Sequence, residues 1–444
     1  MLWWIAAALA APLTLTEVLD AVDERVPELA AADAKLREAE GKALASRGAF
    51  DPKASGYGVA VTGPYDRDTL WLGLGGETAL GPTWTAGWAV GSGDFPSYDD
   101  GETYAGGEWQ VGLELPLLDG LVWSEARTAR DVALAKADRA DAELAAKRVA
   151  ARFGAGSAWA KWVAAGQKRD VDADLLDLAL RRDAGLRREV EEGTRAPVTL
   201  IDNQRIVLER SDQLAASEAA VVVAARKLGL YLRAPDGSPA PPPSDRLPEA
   251  WPAPRPMPDP ELDVATVAAR PDLRALDAAI DAARRERSRA RNAVLPDLDV
   301  VLGAAVPVAG SEAELKGGVK LSSPVLLRKE RGSLAAADAA LDGLTQVRRG
   351  TLDAAHAALA AARAEHDAAE QRVALATEAA ERAQELLILE RRRFELGDAD
   401  LFALWQREEV VGKARKAAIE AELALRSAEL AVEAALGRSE LPSG

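Results

Sequence analysis

Several residue types that carry chemistry are scarce in this chain of 444 residues, which contains no cysteine and two histidines. Without cysteine there is no disulfide, no thiolate metal site, no cysteine nucleophile and no lipid-modified N-terminal cysteine. His356 and His366 lie ten residues apart, without the spacing of a zinc site or the partners of a Ser-His triad. A glycine-rich phosphate-binding loop is also missing. We therefore predict no catalytic residues, no metal site and no cofactor.

The overall composition excludes further classes. Hydrophobic residues make up 48% of the chain but aromatic residues only 5%, so the core must consist of Ala, Leu and Val, which suits close helix packing. The formal net charge of −16 argues against nucleic acid or an anionic membrane surface as the main partner. Apolar runs stay below the ~18 residues of a membrane-spanning helix.

The first residues indicate export. Met1–Ile5 and the alanine-rich segment up to Ala11 are typical of the apolar part of an export signal, with Ala8-Leu9-Ala10 as the cleavage site. The alternative is a buried start of an N-terminal helix. The segment from Thr16 to Arg47 is predicted to be one helix with Thr16 as its cap.

Two long segments near the C-terminus carry apolar or small residues at every seventh position. There is no proline from Lys329 to Glu395. The first row is Leu352, Leu359, Val373, Ala380, Leu387 and Phe394, with His366 as its polar member. The second row is Leu404, Val411, Ala418, Leu425 and Val432. Between them Gly397 can take the positive φ that ends a helix, and Asp398 or Asp400 can cap the next one. The pattern predicts an antiparallel coiled-coil hairpin.

The same hairpin occurs earlier in the chain. Gly193-Thr194 lies in a charged turn, and the helix after it has its own row of Leu200, Val207, Leu214, Val221 and Leu228. Upstream, the segment 115–118 (LPLL) matches the segment 323–326 (SPVL) at nearly the same offset as the two turns. Two landmarks at one offset indicate a tandem duplication of roughly 200 residues. A descending helix of about 70 residues would be about 100 Å long.

Six segments alternate between apolar and small or polar residues, which predicts strands. In one of them Trp109, Val111, Leu113 and Leu115 share a face opposite Gln110, Gly112 and Glu114. The other five have as their apolar members Tyr57, Val59 and Val61; Leu70, Leu72 and Leu74; Trp84, Ala86, Trp88 and Val90; Leu298, Val300, Leu302, Ala304 and Val306; and Leu315, Val319 and Leu321. The interval from Pro52 to Pro116 is much longer than that from Pro296 to Pro324. It therefore holds either an extra hairpin or a long extracellular loop around residues 94–106.

One apolar face at about ten residues per strand is typical of a lipid-facing, water-filled barrel. A soluble β-sandwich gives the same alternation, but the attached long helices favour the barrel. Five tryptophans are predicted to form a belt at the membrane interface: Trp71, Trp84, Trp88, Trp109 and Trp123. About four strands per chain cannot close a barrel, because open edges in lipid leave backbone groups unsatisfied. Several copies must therefore share one barrel, and the strands do not fix their number.

The chain divides accordingly into a probable export signal (1–11), a first repeat (12–233), a proline-rich connector (234–260), a second repeat (261–437) and a tail (438–444). Residues 235–260 contain eleven prolines, which predicts a stiff, extended link. A regulatory proline-rich ligand is the alternative.

Helix, strands, descending helix, tight turn and ascending helix, performed twice, resemble the TolC-like outer-membrane efflux protein family. The likeness lies in the segments 270–273 (RPDL) and 295–297 (LPD), in the strand-end segment 115–118, and in the turn segments 192–202 and 394–401. It covers nearly the whole chain from about residue 14 to 437.

This resemblance implies a homotrimer in which each chain gives four strands to a twelve-stranded outer-membrane barrel, which the helices continue through the periplasm. It implies a passive export channel of a tripartite efflux or type I secretion system in a Gram-negative bacterium. The partners are outer-membrane lipid, a periplasmic adaptor that docks at Gly193, Thr194, Gly397 and Asp398, and an inner-membrane pump. Nucleic acid is not among the partners. The alternative is a non-channel periplasmic coiled-coil adaptor or spacer.

The gate departs from the family pattern. Members often carry carboxylates a few residues after the second turn, where this chain has Ala403 and Gln406. Asp202, Asp398 and Asp400 are the candidates for a cation-attracting pore constriction. The alternative is that these aspartates cap helices and solvate the turns.

Overall fold

The computed structural model describes residues 11–96, 102–103, 106–120, 122–254, 257, 263–309 and 312–438. They form two compact units. The helical unit comprises the described parts of 1–32, 144–271 and 351–444, and the strand-bearing unit comprises those of 33–143 and 272–350. The predicted export signal and tail lie outside the described residues except for Ala11 and Arg438.

Eight α-helices occur in the described residues. They are α1 (Leu15–Arg25), α2 (Pro27–Arg47), α3 (Glu125–Glu191), α4 (Pro197–Leu228), α5 (Asp263–Ala268), α6 (Pro271–Asn292), α7 (Arg328–Glu395) and α8 (Leu401–Leu436). Within this described part, every helix is too short or too polar to cross a bilayer.

The predicted single helix from Thr16 to Arg47 is wrong in two respects. Its cap is Thr14, whose Oγ1 accepts a hydrogen bond from the Glu17 N–H while the Glu17 carboxylate accepts one from the Thr14 N–H, forming a capping box. The helix also breaks at Val26, which adopts an extended conformation. The cause is Pro27, because a proline disfavours the helical conformation of the residue before it.

The helices α3 and α7 contain 67 and 68 residues, and neither is interrupted by a proline. In α7 every predicted seventh residue is at least half-buried, and a second buried row of small residues accompanies it. That second row contains Ala355, Ala362, Ala369 and Ala383. Two rows, alternately three and four residues apart, form the apolar seam of a coiled coil, so the predicted periodicity in α7 is confirmed.

The largest core of the helical unit lies where α1 packs against the middle of α3 and the end of α4. Trp162, Val163 and Leu228 have no exposed surface there. The proline-rich connector covers this core: Leu247 and Trp251 pack against it, and the indole rings of Trp159 and Trp251 meet edge to face at 6.2 Å. The connector is therefore held against the helices by apolar contact.

Six strands form one antiparallel sheet in the order β1-β2-β3-β4-β5-β6. They are β1 (Lys53–Val61), β2 (Arg67–Glu77), β3 (Thr83–Gly93), β4 (Glu108–Pro116), β5 (Asp297–Pro307) and β6 (Glu314–Ser322). The prediction of about four strands per chain is wrong, because the first repeat contributes two hairpins and not one. The extra hairpin accounts for the long interval between Pro52 and Pro116. The loop after β3 lies partly outside the described residues.

The pairing register assigns each alternating row to a face of the sheet, since directly opposed residues share a face. Leu72, Trp88, Trp109 and Val306 are opposed in succession. The apolar members predicted for β2 to β6 all lie on this face, which we call the apolar face. The opposite face, which we call the polar face, carries mainly Gly, Thr, Glu, Gln and Lys.

The first strand departs from this assignment. Tyr57 pairs with Trp71, so Tyr57, Val59 and Val61 lie on the polar face, while Gly56, Gly58 and Ala60 lie on the apolar face. The rings of Tyr57 and Trp71 stack at 6.0 Å with an interplanar angle of 14°. The expected place of Tyr57, Val59 and Val61 beside Leu70, Leu72 and Leu74 is therefore wrong. A row of three β-branched or aromatic residues marks a strand but not its lipid-facing side.

Helix α6 lies among charged neighbours within the strand-bearing unit. Its Arg285 donates to Asp131 of α3 at 2.9 Å, and its Asp277 accepts a bidentate pair of hydrogen bonds from Arg348 of α7. This bonding to Asp277 raises the pKa of Arg348. Ion pairs thus supplement a small local core of Val132, Ala135 and Ala282.

The glycine beneath Trp71 gives a test of the register. A Cβ on Gly87 would lie 2.7 Å from Trp71 Cζ2 and 2.7 Å from the Leu72 carbonyl oxygen. We expect Gly87→Ala to lower stability by about 1–3 kcal/mol through overpacking, seen as a lower thermal midpoint of the β-sheet circular dichroism signal. Gly303→Ala is the matched control, because the nearest atoms to its Cβ would be 3.6 Å away. Equal effects of both substitutions would contradict the register.

Candidate functional site

The two hairpin turns are built in the same way. Gly193 has φ +74° and Gly397 has φ +81°, a conformation that glycine adopts without strain. The Gly193 N–H donates to Val190 O at 3.1 Å and the Thr194 N–H to Glu189 O at 2.9 Å. In the second turn the Gly397 N–H donates to Phe394 O at 3.1 Å and the Asp398 N–H to Arg393 O at 2.8 Å. Both are Schellman motifs, which end a helix by satisfying its last carbonyl groups.

Side chains tie the two turns together. The Arg195 Nε donates to the Glu189 carboxylate at 2.9 Å, and the Arg195 guanidinium lies 5.2 Å from the centre of the Phe394 ring. A second cation–π contact joins Arg205 of α4 to Trp405 of α8 at 5.9 Å. The turns of the two repeats, far apart in sequence, therefore lie at one end of the helical unit.

The three aspartates near the turns have different surroundings. Asp400 is the N-cap of α8, and its Oδ1 accepts a hydrogen bond from the Ala403 N–H at 2.7 Å. The side chain of Asp202 is 63% exposed and lies 3.7 Å from Arg205. Asp398 contributes its backbone to the turn, where its carbonyl oxygen accepts from Arg393 at 3.3 Å. Thus Asp400 has the capping role that the sequence allowed, and both Asp202 and Asp400 keep carboxylate surface towards solvent.

A buried ion pair connects the two hairpins close to the turns. Arg182 of α3 donates to both carboxylate oxygens of Glu408 of α8, at 2.8 and 3.0 Å, and the carboxylate is 2% exposed. The Arg182 Nε donates to Asn203 Oδ1 at 2.7 Å, and the fully buried Asn203 amide donates to Ala179 O at 3.2 Å. Three helices therefore meet in one satisfied polar network.

Further ion pairs run along the same boundary between hairpins. Arg210 of α4 lies 3.0 Å from Glu409 of α8, and Lys416 of α8 lies 2.6 Å from the buried Asp172 of α3. A cavity of about 370 Å³ adjoins the Arg182–Glu408 pair and is lined in part by Leu186 and Phe394. Near the turns, specific charge pairs therefore join the two hairpins beside this cavity.

The sequence alone does not predict this network, because charged residues on a helix usually form its solvated face. A signal was present in the spacing: Asn203 lies three residues after Leu200, and Glu408 lies four residues after Leu404. These are the second core positions of the heptads, where a polar residue sets register and partner choice. Inspecting both core rows, and not only one, would have found it.

The predicted belt tryptophans do not all share a face. Trp84, Trp88 and Trp109 lie on the apolar face of the sheet. Trp71 lies on the polar face beside Tyr57, and Trp123 lies in the turn before α3. Among the residues that the structure describes, no cluster of three His, Asp or Glu could hold a metal ion.

Comparison with known proteins identifies this architecture. Residues 265–438 match the family model of the outer membrane efflux proteins. No curated protein sequence matches the chain significantly.

Solved structures match the chain over nearly its full length. The outer membrane protein VceC of Vibrio cholerae superposes with a TM-score of 0.68 at 16% identity, covering 95% of this chain and 96% of its own. A membrane protein of Pseudomonas aeruginosa gives 0.72 at 16% identity, with 95% and 93% covered. The open MtrE outer membrane channel of Neisseria gonorrhoeae gives 0.69 at 15% identity, with 95% and 88% covered.

The fold is therefore that of the outer-membrane channels, with a β-sheet followed by long helical hairpins. The match of residues 265–438 to the outer membrane efflux protein family model, together with this shared fold, confirms the TolC-like resemblance. The predicted outer-membrane location and efflux function agree with the matched family and with the shared fold, which disfavour the coiled-coil spacer. The matched family and the similar structures are channel proteins rather than enzymes.

The buried pair makes a quantitative prediction. We expect Glu408→Ala to destabilise the helical unit by about 3–5 kcal/mol, because it leaves the Arg182 guanidinium buried without its partner. Glu209→Ala is the matched control: Glu209 pairs with Arg205 at 2.6 Å on the surface, where a pair is worth about 1 kcal/mol or less. Thermal melts of the helical circular dichroism signal measure both. Losses of similar size would show that the Arg182–Glu408 pair is not buried in the native assembly.

Proposed function

We propose that three copies of this chain form a passive outer-membrane duct that exports solutes, driven by an inner-membrane pump through a periplasmic adaptor. The amphipathic sheet carries this proposal. Leu72, Val111 and Leu302 are exposed on its apolar face. Exposure of such an apolar surface is unfavourable in water but favourable in lipid. Its polar face, with Gln110, Glu114 and Lys320, would line a wet pore.

The hairpin turns are the proposed adaptor-facing surface, formed by Gly193, Thr194, Gly397 and Asp398. Around both glycines there is open space, since a Cβ on either would meet no atom within 4 Å. The turns expose backbone in a fixed Schellman geometry, so a partner can approach closely. The equal construction of the two turns supports a tandem duplication and an adaptor that contacts both repeats in the same way.

The constriction is proposed to involve Asp202 and Asp400. Asp400 lies three residues after Gly397 and Asp202 nine residues after Gly193, and both residues are exposed. Three copies would place six carboxylates around one axis, and such a ring attracts cations. The interface belt is proposed to be Trp84, Trp88 and Trp109, with Trp123 beside the strands. Trp71, on the other face, does not fit such a belt.

Single-channel recording in a planar bilayer tests the duct and its constriction. We expect small cation-selective steps from the detergent-purified protein. Asp202→Asn combined with Asp400→Ser should lower the cation-to-anion permeability ratio several-fold. Serine keeps the N-cap of α8 while removing the charge, so the variant isolates electrostatics from helix capping. Asp398→Asn is the control and should leave selectivity unchanged.

Two results would count against the proposal in different ways. A native protein that inserts but never conducts would contradict the duct itself. Conductance with unchanged selectivity in the double variant would retain the duct and remove Asp202 and Asp400 from the constriction.

A further inference from the structure

The sheet ends in two open edges. Strands β1 and β6 have a partner on one side only within the described part of the chain. Every residue of β6 and all of β1 except Val61 are exposed, whereas the inner strands are partly covered. Leu315 is 81% and Leu321 70% exposed on the apolar side of β6. A row of unpaired N–H and C=O groups beside such side chains is not stable in a bilayer.

The geometry of the two edges fits one kind of neighbour. The six strands alternate in direction, so β1 and β6 run in opposite directions. When copies stand in the same orientation in a membrane, β6 of one copy lies antiparallel to β1 of the next. Pairing β1 with β1 would be parallel and would leave both β6 edges open. Only the β6–β1 contact repeats around a ring and closes it.

The lengths and side chains of the edges are complementary. Each strand has nine residues, so pairing their centres places Tyr57 opposite Gly318 and leaves no residue unmatched. Gly318 has open space where a Cβ would be, and the Tyr57 ring can cover it. On the apolar face the small residues of β1 then oppose three larger residues and one glycine of β6. The opposed pairs are Ala54 with Leu321, Gly56 with Val319, Gly58 with Gly317 and Ala60 with Leu315.

The internal stagger of the sheet supports closure. A row of opposed residues starts at Lys53, the first residue of β1, and reaches Lys316, the third residue of β6. Because β6 runs opposite to β1, this row crosses from one end of the sheet towards the other. In the closed ring, a row of opposed residues would be displaced along the strands by about one residue for each strand that it crosses. This displacement corresponds to a strand tilt of roughly 35–40° from the barrel axis, within the range of closed barrels.

We propose that β6 of one copy pairs with β1 of the next and that three copies close an eighteen-stranded barrel. The inference rests on the trimer of the proposed function and replaces the twelve strands implied by the family resemblance. The extra β1–β2 hairpin then contributes two strands to the barrel wall and is not a separate surface hairpin. Eighteen strands at this tilt enclose a backbone diameter of about 35 Å, against about 24 Å for twelve.

Engineered cysteines test the pairing directly, since the chain contains none. Tyr57→Cys with Gly318→Cys places two thiols on the same face of adjacent strands, close enough for a disulfide. We expect oxidation of the membrane-embedded protein to give covalent dimers and trimers on a denaturing gel. Tyr57→Cys with Gly317→Cys is the matched control, because Gly317 lies on the opposite face. It should cross-link on the order of tenfold less.

The outcomes separate this inference from the duct proposal. A conducting trimer without cross-links from Tyr57→Cys to Gly318→Cys, or to the same-face neighbours Lys316→Cys and Lys320→Cys, would overturn the eighteen-stranded barrel and leave the duct standing. Cross-links in the single Tyr57→Cys variant would also overturn it, because they require β1–β1 contact. A monomer that does not conduct would remove the duct and the barrel together.

Discussion

Backbone hydrogen bonding in the absence of water is the constraint on which this molecule depends. A peptide group inside lipid has no solvent partner, so each strand must be paired on both sides. Within one chain the sheet meets this requirement for β2 to β5 and fails at β1 and β6. The proposed self-association would pair both edges, and in the closed barrel only one face would contact lipid, which agrees with the side-chain alternation of the sheet.

In the helical unit the constraint is the register in which the helices pack. Its coiled-coil seams consist of small and branched residues such as Ala362 and Leu387, which allow close approach of helices but distinguish poorly between registers. Near the turns the Arg182–Glu408–Asn203 network supplies that distinction. A buried ion pair adds little net stability compared with an apolar contact of the same shape, yet it penalises every arrangement that separates its partners. The network thus fixes how the two hairpins meet.

Much of this architecture follows from the sequence, and the failures have identifiable causes. The turns at Gly193 and Gly397 and the alternation of β2 to β6 were predictable, because positive φ and a two-residue period leave strong local signals. The predicted apolar face was wrong for Tyr57, because its ring stacks on Trp71 on the polar face. An aromatic side chain can pack on a neighbouring ring as well as face lipid. Pro27 splits the first helix, a local rule that the apolar periodicity concealed. The Arg182–Glu408 ion pair could not be predicted from local pattern, because its burial depends on helices whose residues are more than 200 positions apart in the sequence.

The central claim is that one face of the sheet contacts lipid and the other lines water. Spin labels on single cysteines along β4, from Glu108 to Pro116, test it in the reconstituted protein. Accessibility to oxygen, which concentrates in lipid, should peak at positions 109, 111, 113 and 115. Accessibility to a water-soluble nickel complex should peak at 110, 112 and 114. Uniform access of the nickel complex along the strand, or peaks in the opposite phase, would contradict the assignment of the two faces.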